Sequence, residues 1–379
     1  MNVLKFSLLL LLLGMGMACQ RPGDNSCATD FDQLSLLENV GDNIILPSYQ
    51  ALANETTQLE TDALAFLATP SVSTLTTARA QFKKAWLAWQ TAAIFEFGPA
   101  DQEDLRNYCN NFPANLVRIR DGVATGTYDL STPAYSFGRG FPALDYLLHG
   151  ENMTDADIVD WYTTDTNASN RQQYLADVLT LLKQKTTTVW DAWSVSGGNY
   201  INTFTTTEGV ANGKPLSDLV NQWNKNAELI KNNRLGDPIS AKTGYIPLLP
   251  DNVEAFYSKY SLELVTRAVE AQQAVFLGST FFASTVENGV GLDDYIEATG
   301  AQKGDKSLAV FINEQYTTTL TALQALQTSN NLYDAINNNL NGVKAAYAAA
   351  QNQVVSTKTD LPAALCVSIT YIDNVDDGD

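Results

Sequence analysis

The side chains able to do acid–base, nucleophilic or metal chemistry are few in this chain, and their spacing narrows the options. His149 is the only histidine, so neither a His-x-x-x-His zinc pair nor any site with two imidazoles can form within one copy. A serine hydrolase would have to use His149 as its base, and no Gly-x-Ser-x-Gly elbow accompanies it. In Leu147-Leu148-His149-Gly150 it stands at a helix end, where it reads as a C-terminal cap favoured by the helix dipole. The cysteines, Cys19, Cys27, Cys109 and Cys366, lack the close spacing of a zinc knuckle or a redox motif. The acidic terminus with Asp373, Asn374, Asp376, Asp377 and Asp379 lacks the spacing and closing glutamate of a calcium loop, and reads as a solvated tail.

The elements that must position any site are helical. Ile45, Tyr49, Leu52, Leu59, Ala63 and Phe66 recur at helical spacing, as do Leu75, Ala78, Phe82, Trp86, Trp89 and Ala93 after the Pro70-Ser71 break. Tyr174, Val178, Leu182, Val189 and Trp193 predict a third long helix, stopped before Gly197-Gly198, and Leu216, Leu219, Trp223, Ala227 and Ile230 a fourth. Later stripes begin at Leu262, Leu308 and Leu332. The last two are joined at Ser329-Asn330-Asn331, short enough to make antiparallel neighbours. Gly236, Pro238, Gly244, Pro247 and Pro250 predict a long ordered loop over 234–250, and 101–133, rich in Asn, Pro and Gly, reads as irregular, a candidate wall for a site. Val367 to Tyr371 is β-branched and predicts a short strand. The fold class is all-α, with two tandem four-helix-bundle-like domains packed against each other. No short fixed-period repeat points to a solenoid.

The amino terminus carries Lys5, an apolar run from Leu8 to Leu13, and Gly16-Met17-Ala18 before Cys19. The run is shorter than the roughly 20 residues that cross a bilayer core, so it reads as a cleaved signal over an uncleaved anchor. Cys19 matches the lipidated first residue of a bacterial lipoprotein. Gln20 behind it, with no Asp to retain the protein in an inner membrane, points to an outer-membrane anchor facing the periplasm or the cell surface. The expected division is 1–18 signal peptide, 19–27 tether, 28–197 first bundle and 198–379 second bundle. With Cys19 lipidated three cysteines remain. One disulfide is then the most that one copy can form, and Cys109 with Cys366 is the expected pair because Cys27 adjoins the tether. The net charge of −19 disfavours nucleic acid as a partner.

Three stretches together resemble the imelysin family, also called peptidase M75, whose members are envelope proteins often associated with iron uptake. They are KAWLAWQTAAIFEFGP at 84–99, GRGFPALDYLLHG at 138–150, and the pair RLGDP at 234–238 with GVGLDDYI at 289–296. The resemblance implies two helical bundles with the signature Gly-x-His-x-x-Glu near the cleft between them. In that pattern His and Glu sit three apart, on one helix face, where both can reach a metal. Here Gly140 keeps the glycine, Pro142 replaces the histidine and Asp145 the glutamate, and Ala93 stands where relatives commonly carry another glutamate. Proline offers no donor atom. Pro142 and Asp145 do suit the first turn of a helix.

What the resemblance leaves is a binding site lined by Asp145, Arg139, Gly140, Pro142, Trp89, Glu96, Phe97 and Phe141. Asp145 is its candidate metal ligand, and oxygen donors there would suit ferric iron or calcium. The plainer reading makes Trp86 and Trp89 core, leaves Glu96 exposed, and pairs Arg139 with Asp145 to hold the motif together. Without the histidine, the implied function is a non-catalytic lipoprotein that binds an iron species, another small ligand or a component of an envelope uptake system, attached to the membrane by its lipid. The alternatives are a metal-dependent peptidase of altered mechanism and a glycan- or peptide-binding lipoprotein.

Overall fold

The computed structural model describes residues 30–280, 288–329 and 331–371. The expected signal segment, Cys19, the tether, Cys27 and the acidic residues from Asp373 onward lie outside the described residues. Among the described residues the fold is all-α. Its extended pairing is limited to Gln302–Lys303 against Lys306–Ser307 and a single bridge between Ser279 and Asn288. No described helix is long and apolar enough to cross a membrane.

Leu46–Ala68 packs along both Val72–Ala92 and Ala168–Trp193. The cause is the stripe read from the sequence: Tyr49, Leu52, Leu59, Ala63 and Phe66 are buried against Leu75, Ala78, Phe82 and Trp86, and against Tyr174, Val178, Leu182 and Val189. Each large apolar side chain wholly removed from water contributes about 1.5–3 kcal/mol. The corner between the first two helices is fixed by Ser71. Its hydroxyl accepts the Thr74 N–H while the Thr74 hydroxyl accepts the Ser71 N–H. Such a reciprocal cap satisfies donors that the first helical turn otherwise leaves orphaned. In the seam with the third helix the Thr56 and Thr186 hydroxyls meet at 2.7 Å.

Pro215–Leu229, Ser261–Phe276, Leu308–Gln324 and Leu340–Val355 form the second group. Its core carries an internal polar lock. The Trp223 indole donates to the Gln272 carbonyl at 3.0 Å, the Gln272 amide returns a bond to the Trp223 carbonyl at 3.1 Å, and the Tyr316 hydroxyl meets Gln272 Oε1 at 3.3 Å. Val72–Ala92 lies along Ser261–Phe276, so one continuous apolar cluster runs through both groups.

Several expectations need correcting. The segment 101–133 is not irregular throughout: it holds Leu105–Cys109 and Leu116–Thr125, the latter capped by Asn115, whose side chain accepts the Arg118 N–H. The last long stripe is broken at Asn339, which leaves helical geometry and caps the next helix by accepting the Gly342 N–H. Val367 to Tyr371 forms no strand. A single side chain, Asn221, does the work of a neighbouring strand, donating to the Ser368 carbonyl at 3.0 Å and accepting the Thr370 N–H at 2.7 Å. Cys109 is a free buried thiol whereas Cys366 is disulfide-bonded, so the expected pairing is not made. Cys109 is committed instead to the apolar interior of the first helix group.

Candidate functional site

The altered motif opens the helix Gly140–His149. Gly140 has φ +69°, and a Cβ there would run into the carbonyl oxygens of Tyr108 and Cys109, so only glycine lets the two segments approach. Pro142 follows in the first turn, where a missing N–H leaves no intrahelical bond unmade. Asp145 is buried one turn later, and both its oxygens are taken. Oδ2 accepts the Tyr257 N–H and Oδ1 the Ser258 N–H, each at 2.9 Å. Those amides belong to a loop from the second half of the chain that turns through two left-handed non-glycine residues, Ala255 at φ +57° and Lys259 at φ +66°. Such conformations are disfavoured by roughly 1–2 kcal/mol each, and the Asp145 carboxylate is one of the contacts that hold them. Burial pushes the Asp145 pKa up to about 7 against the pull of these hydrogen bonds.

The other expected site residues divide. Arg139 does not pair with Asp145: its guanidinium donates to the Leu130 carbonyl at 2.6 Å and lies 3.6 Å over the Tyr108 ring. It is buried with its donors directed at backbone, which fastens the segment before the motif. Phe141 stacks on Trp86 at 5.6 Å, and Phe97 packs among Trp193 and Phe204; both belong to the core. Glu96 is buried, not exposed, because the chain after the Phe97-Gly98-Pro99 turn folds back and the Arg106 N–H donates to its carboxylate at 2.8 Å. Burial raises its pKa, with Arg106 pulling the other way. His149 does bond a helix carbonyl, that of Asp145 at 3.1 Å, but the dipole does not hold it as a cation. Burial drives its pKa down to about 3, with nearby Arg79 adding to the effect.

A second polar cluster crosses between the helix groups, and sequence reasoning missed most of it. After Pro215–Leu229 the helix widens into a π-turn, Ile230–Gly236, a departure common at functional positions. It turns Arg234 inward. The Glu254 carboxylate meets Arg234 Nε at 3.4 Å and accepts from Asn110 at 2.7 Å and Gln90 at 3.2 Å, while Arg234 also donates to Gln90 Oε1. The Trp86 indole completes the chain to Asn110 at 3.2 Å. Arg234 was visible within RLGDP; Glu254 and Asn110 stand in sequence contexts that carry no motif signal.

Beside this cluster lies a cavity of about 130 Å³ whose walls include Trp89, Arg106, Asn110, Asn226 and Arg234. Of the predicted site residues it takes in Trp89 alone; the Ala93 methyl also lines it. Trp89 is therefore at once part of the buried helical stripe and part of a cavity wall.

The motif residues do not fit a metal of the kind the resemblance implies. Pro142 has no donor, Ala93 none, and both Asp145 oxygens already accept amide hydrogens. No group of three or more His, Cys, Asp or Glu side chains that could hold a metal ion occurs among the described residues.

Comparison with known proteins agrees with the fold. Iron-regulated protein A of Synechococcus elongatus is 25% identical over 232 residues, 58% of this chain, and the match spans 58% of that relative's length. A solved structure described as an iron-regulated protein A precursor from Parabacteroides distasonis is 18% identical and superposes with a TM-score of 0.70 over 89% of this chain and 97% of that one. An imelysin-like protein from Psychrobacter arcticum, 16% identical, gives 0.65 over 91% and 99%. The family model for imelysin, peptidase M75, matches residues 45–361, and the chain belongs to the imelysin family.

Proposed function

We propose that this protein is a non-catalytic, lipid-anchored envelope protein of two helical bundles that serves iron uptake by binding an iron species or an uptake partner. Family membership and the relative named iron-regulated protein A support the iron-related part. The observation that carries the non-catalytic part is the use of Asp145. The carboxylate that would have to hold a metal-bound water instead grips the Tyr257 and Ser258 amides, and the adjacent motif position is Pro142. A general base or metal ligand needs a lone pair that can reach the reacting group, and the lone pairs Asp145 has left over are buried with it at 2% exposure.

The test uses the full chain stripped with chelator. Ferrous iron, ferric iron, zinc, calcium and haem are titrated by calorimetry, and casein digestion is followed with and without added metal. Saturable binding of an iron species without proteolysis is the expected result. Metal-dependent casein cleavage that Asp145→Asn abolishes would overturn the non-catalytic reading. Absence of all iron and haem binding would remove direct iron binding and leave an uptake partner as the remaining form of the proposal.

A further inference from the structure

The cavity between the two helix groups is basic in a chain whose net charge is −19. Its walls carry Arg106 and Arg234 and no carboxylate. The nearby acids face other groups: Glu254 Oε1 accepts from Asn110 and Gln90 while its Oε2, without a hydrogen bond, lies 3.4 Å from Arg234 Nε, and Glu96 accepts the Arg106 N–H. The bonds that fix the arginines leave one face of each guanidinium uncommitted. Arg106 donates to the Ala93 carbonyl through Nη2, and Arg234 uses Nη1 and Nε, so none of these bonds involves Nη1 of Arg106 or Nη2 of Arg234.

Two further donors on the same walls have no partner. Trp89 is 1% exposed and its Nε1 makes no hydrogen bond; Asn226 is 2% exposed and its Nδ2 makes none. Leaving a buried donor unsatisfied costs about 1–3 kcal/mol, and the residues that carry these two donors line one small cavity, which suits a ligand that brings acceptors. Lys225, next to Asn226 in sequence, is held below its usual pKa, first by burial and next by Arg106, with Glu96 and Asp101 pulling the other way.

We propose that this cavity is a binding site for a small oxyanion, a carboxylate or phosphate group, held by Arg106 and Arg234 with the Trp89 indole and Asn226 amide as additional donors. Planar guanidinium groups match both kinds of oxygen pair. The site lies apart from the Asp145 oxygens and does not depend on the iron reading. It would accept a free acid, a phosphate, or the carboxylate periphery of a metal chelate.

The experiment titrates the full chain at low salt with citrate and, separately, with inorganic phosphate, by calorimetry. The variants are Arg106→Gln, Asn226→Asp and, as a surface control, Arg118→Gln. Saturable binding of one or both anions, weakened at least about tenfold by Arg106→Gln and by Asn226→Asp and unchanged by Arg118→Gln, supports the site; the anion that binds identifies the source. Asn226→Asp is nearly isosteric and replaces a donor with a negative charge, so it decides the question should Arg106→Gln fold poorly. No saturable binding of either anion, or binding insensitive to Asn226→Asp, overturns the proposal. A chain that binds iron but neither anion keeps the earlier reading and loses this one.

Discussion

His149 Nδ1 lies 3.1 Å from the backbone carbonyl of Asp145 and 3.6 Å from its carboxylate, yet the two side chains do not form an ion pair at neutral pH. Burial holds the imidazole neutral, with a pKa near 3, and raises the carboxyl to about 7. The Nδ1–H tautomer donates to the carbonyl, and Nε2 is left buried without a partner between Phe82 and Tyr260.

The two groups push stability in opposite directions with pH. For His149 the folded pKa lies below its ordinary 6.5, so its contribution is present above that value and lost as pH falls towards 3. For Asp145 the folded pKa lies above its ordinary 3.8, so its contribution is present below that value and lost as pH rises through about 7. Urea unfolding at about pH 5 and about pH 7 separates them. Relative to wild type, Asp145→Asn should gain stability on going from the lower pH to the higher, because only the His149 slope remains. His149→Gln should lose it. Two variants that keep the wild-type difference between those pH values would show that neither group titrates as its burial requires.

Asp145→Asn also tests the latch itself. An asparagine oxygen can accept only one of the two amides in this geometry, and its own N–H₂ then faces the other. One buried N–H loses its partner, at about 1–3 kcal/mol. The local signature is more telling than the global loss: hydrogen exchange at the Tyr257 and Ser258 amides should accelerate well beyond that of helical amides in Ser261–Phe276. Uniform acceleration across both would mean that Asp145 supports the whole fold and not this loop.

The contrast between Asp145 and Glu254 marks what the sequence could tell. Helical stripes made the long helices and the all-α class readable, because burial of one face is a periodic, local signal. Gly140 was singled out only as the glycine of the family signature; its close approach to the Tyr108 and Cys109 carbonyls is set by a distant stretch of backbone that the motif does not record. The partners of Asp145 were not readable: they are backbone amides of Tyr257 and Ser258, more than a hundred positions away, and an amide carries no residue-type signature. Arg139 was misread for the same reason, its acceptor being the Leu130 carbonyl and not an acidic side chain. Asn339 interrupted a helix because its side chain could cap the next one, a local choice that apolar spacing does not register.

The Arg234–Glu254 pair should be sensitive to removal of either member. Glu254→Gln keeps the shape but leaves a buried guanidinium without its counter-charge, a situation that costs about 3–5 kcal/mol. Pairing the change with Arg234→Met removes the stranded charge, so the double variant should recover much of the loss in denaturant unfolding. A double variant that loses the sum of the two single effects would mean the groups act independently, and the cluster would then not be the bridge between helix groups described above.

Cys109 gives the last expectation. Its thiol is fully buried, burial raises its pKa well above the ordinary thiol value, and nearby Glu96 adds to the rise. The thiolate is the reactive form, so both access and ionisation protect this residue in the folded protein. Treatment with a small alkylating reagent at neutral pH should leave Cys109 unmodified in the native chain and label it in urea, as read by peptide mass. The labelling rate below the unfolding midpoint should follow the population of open molecules, so Asp145→Asn and Glu254→Gln should each accelerate it in proportion to their loss of stability. Rapid labelling of the native wild-type chain would mean that the segment Leu105–Cys109 opens on its own, and with it the wall of the cavity that Arg106 lines.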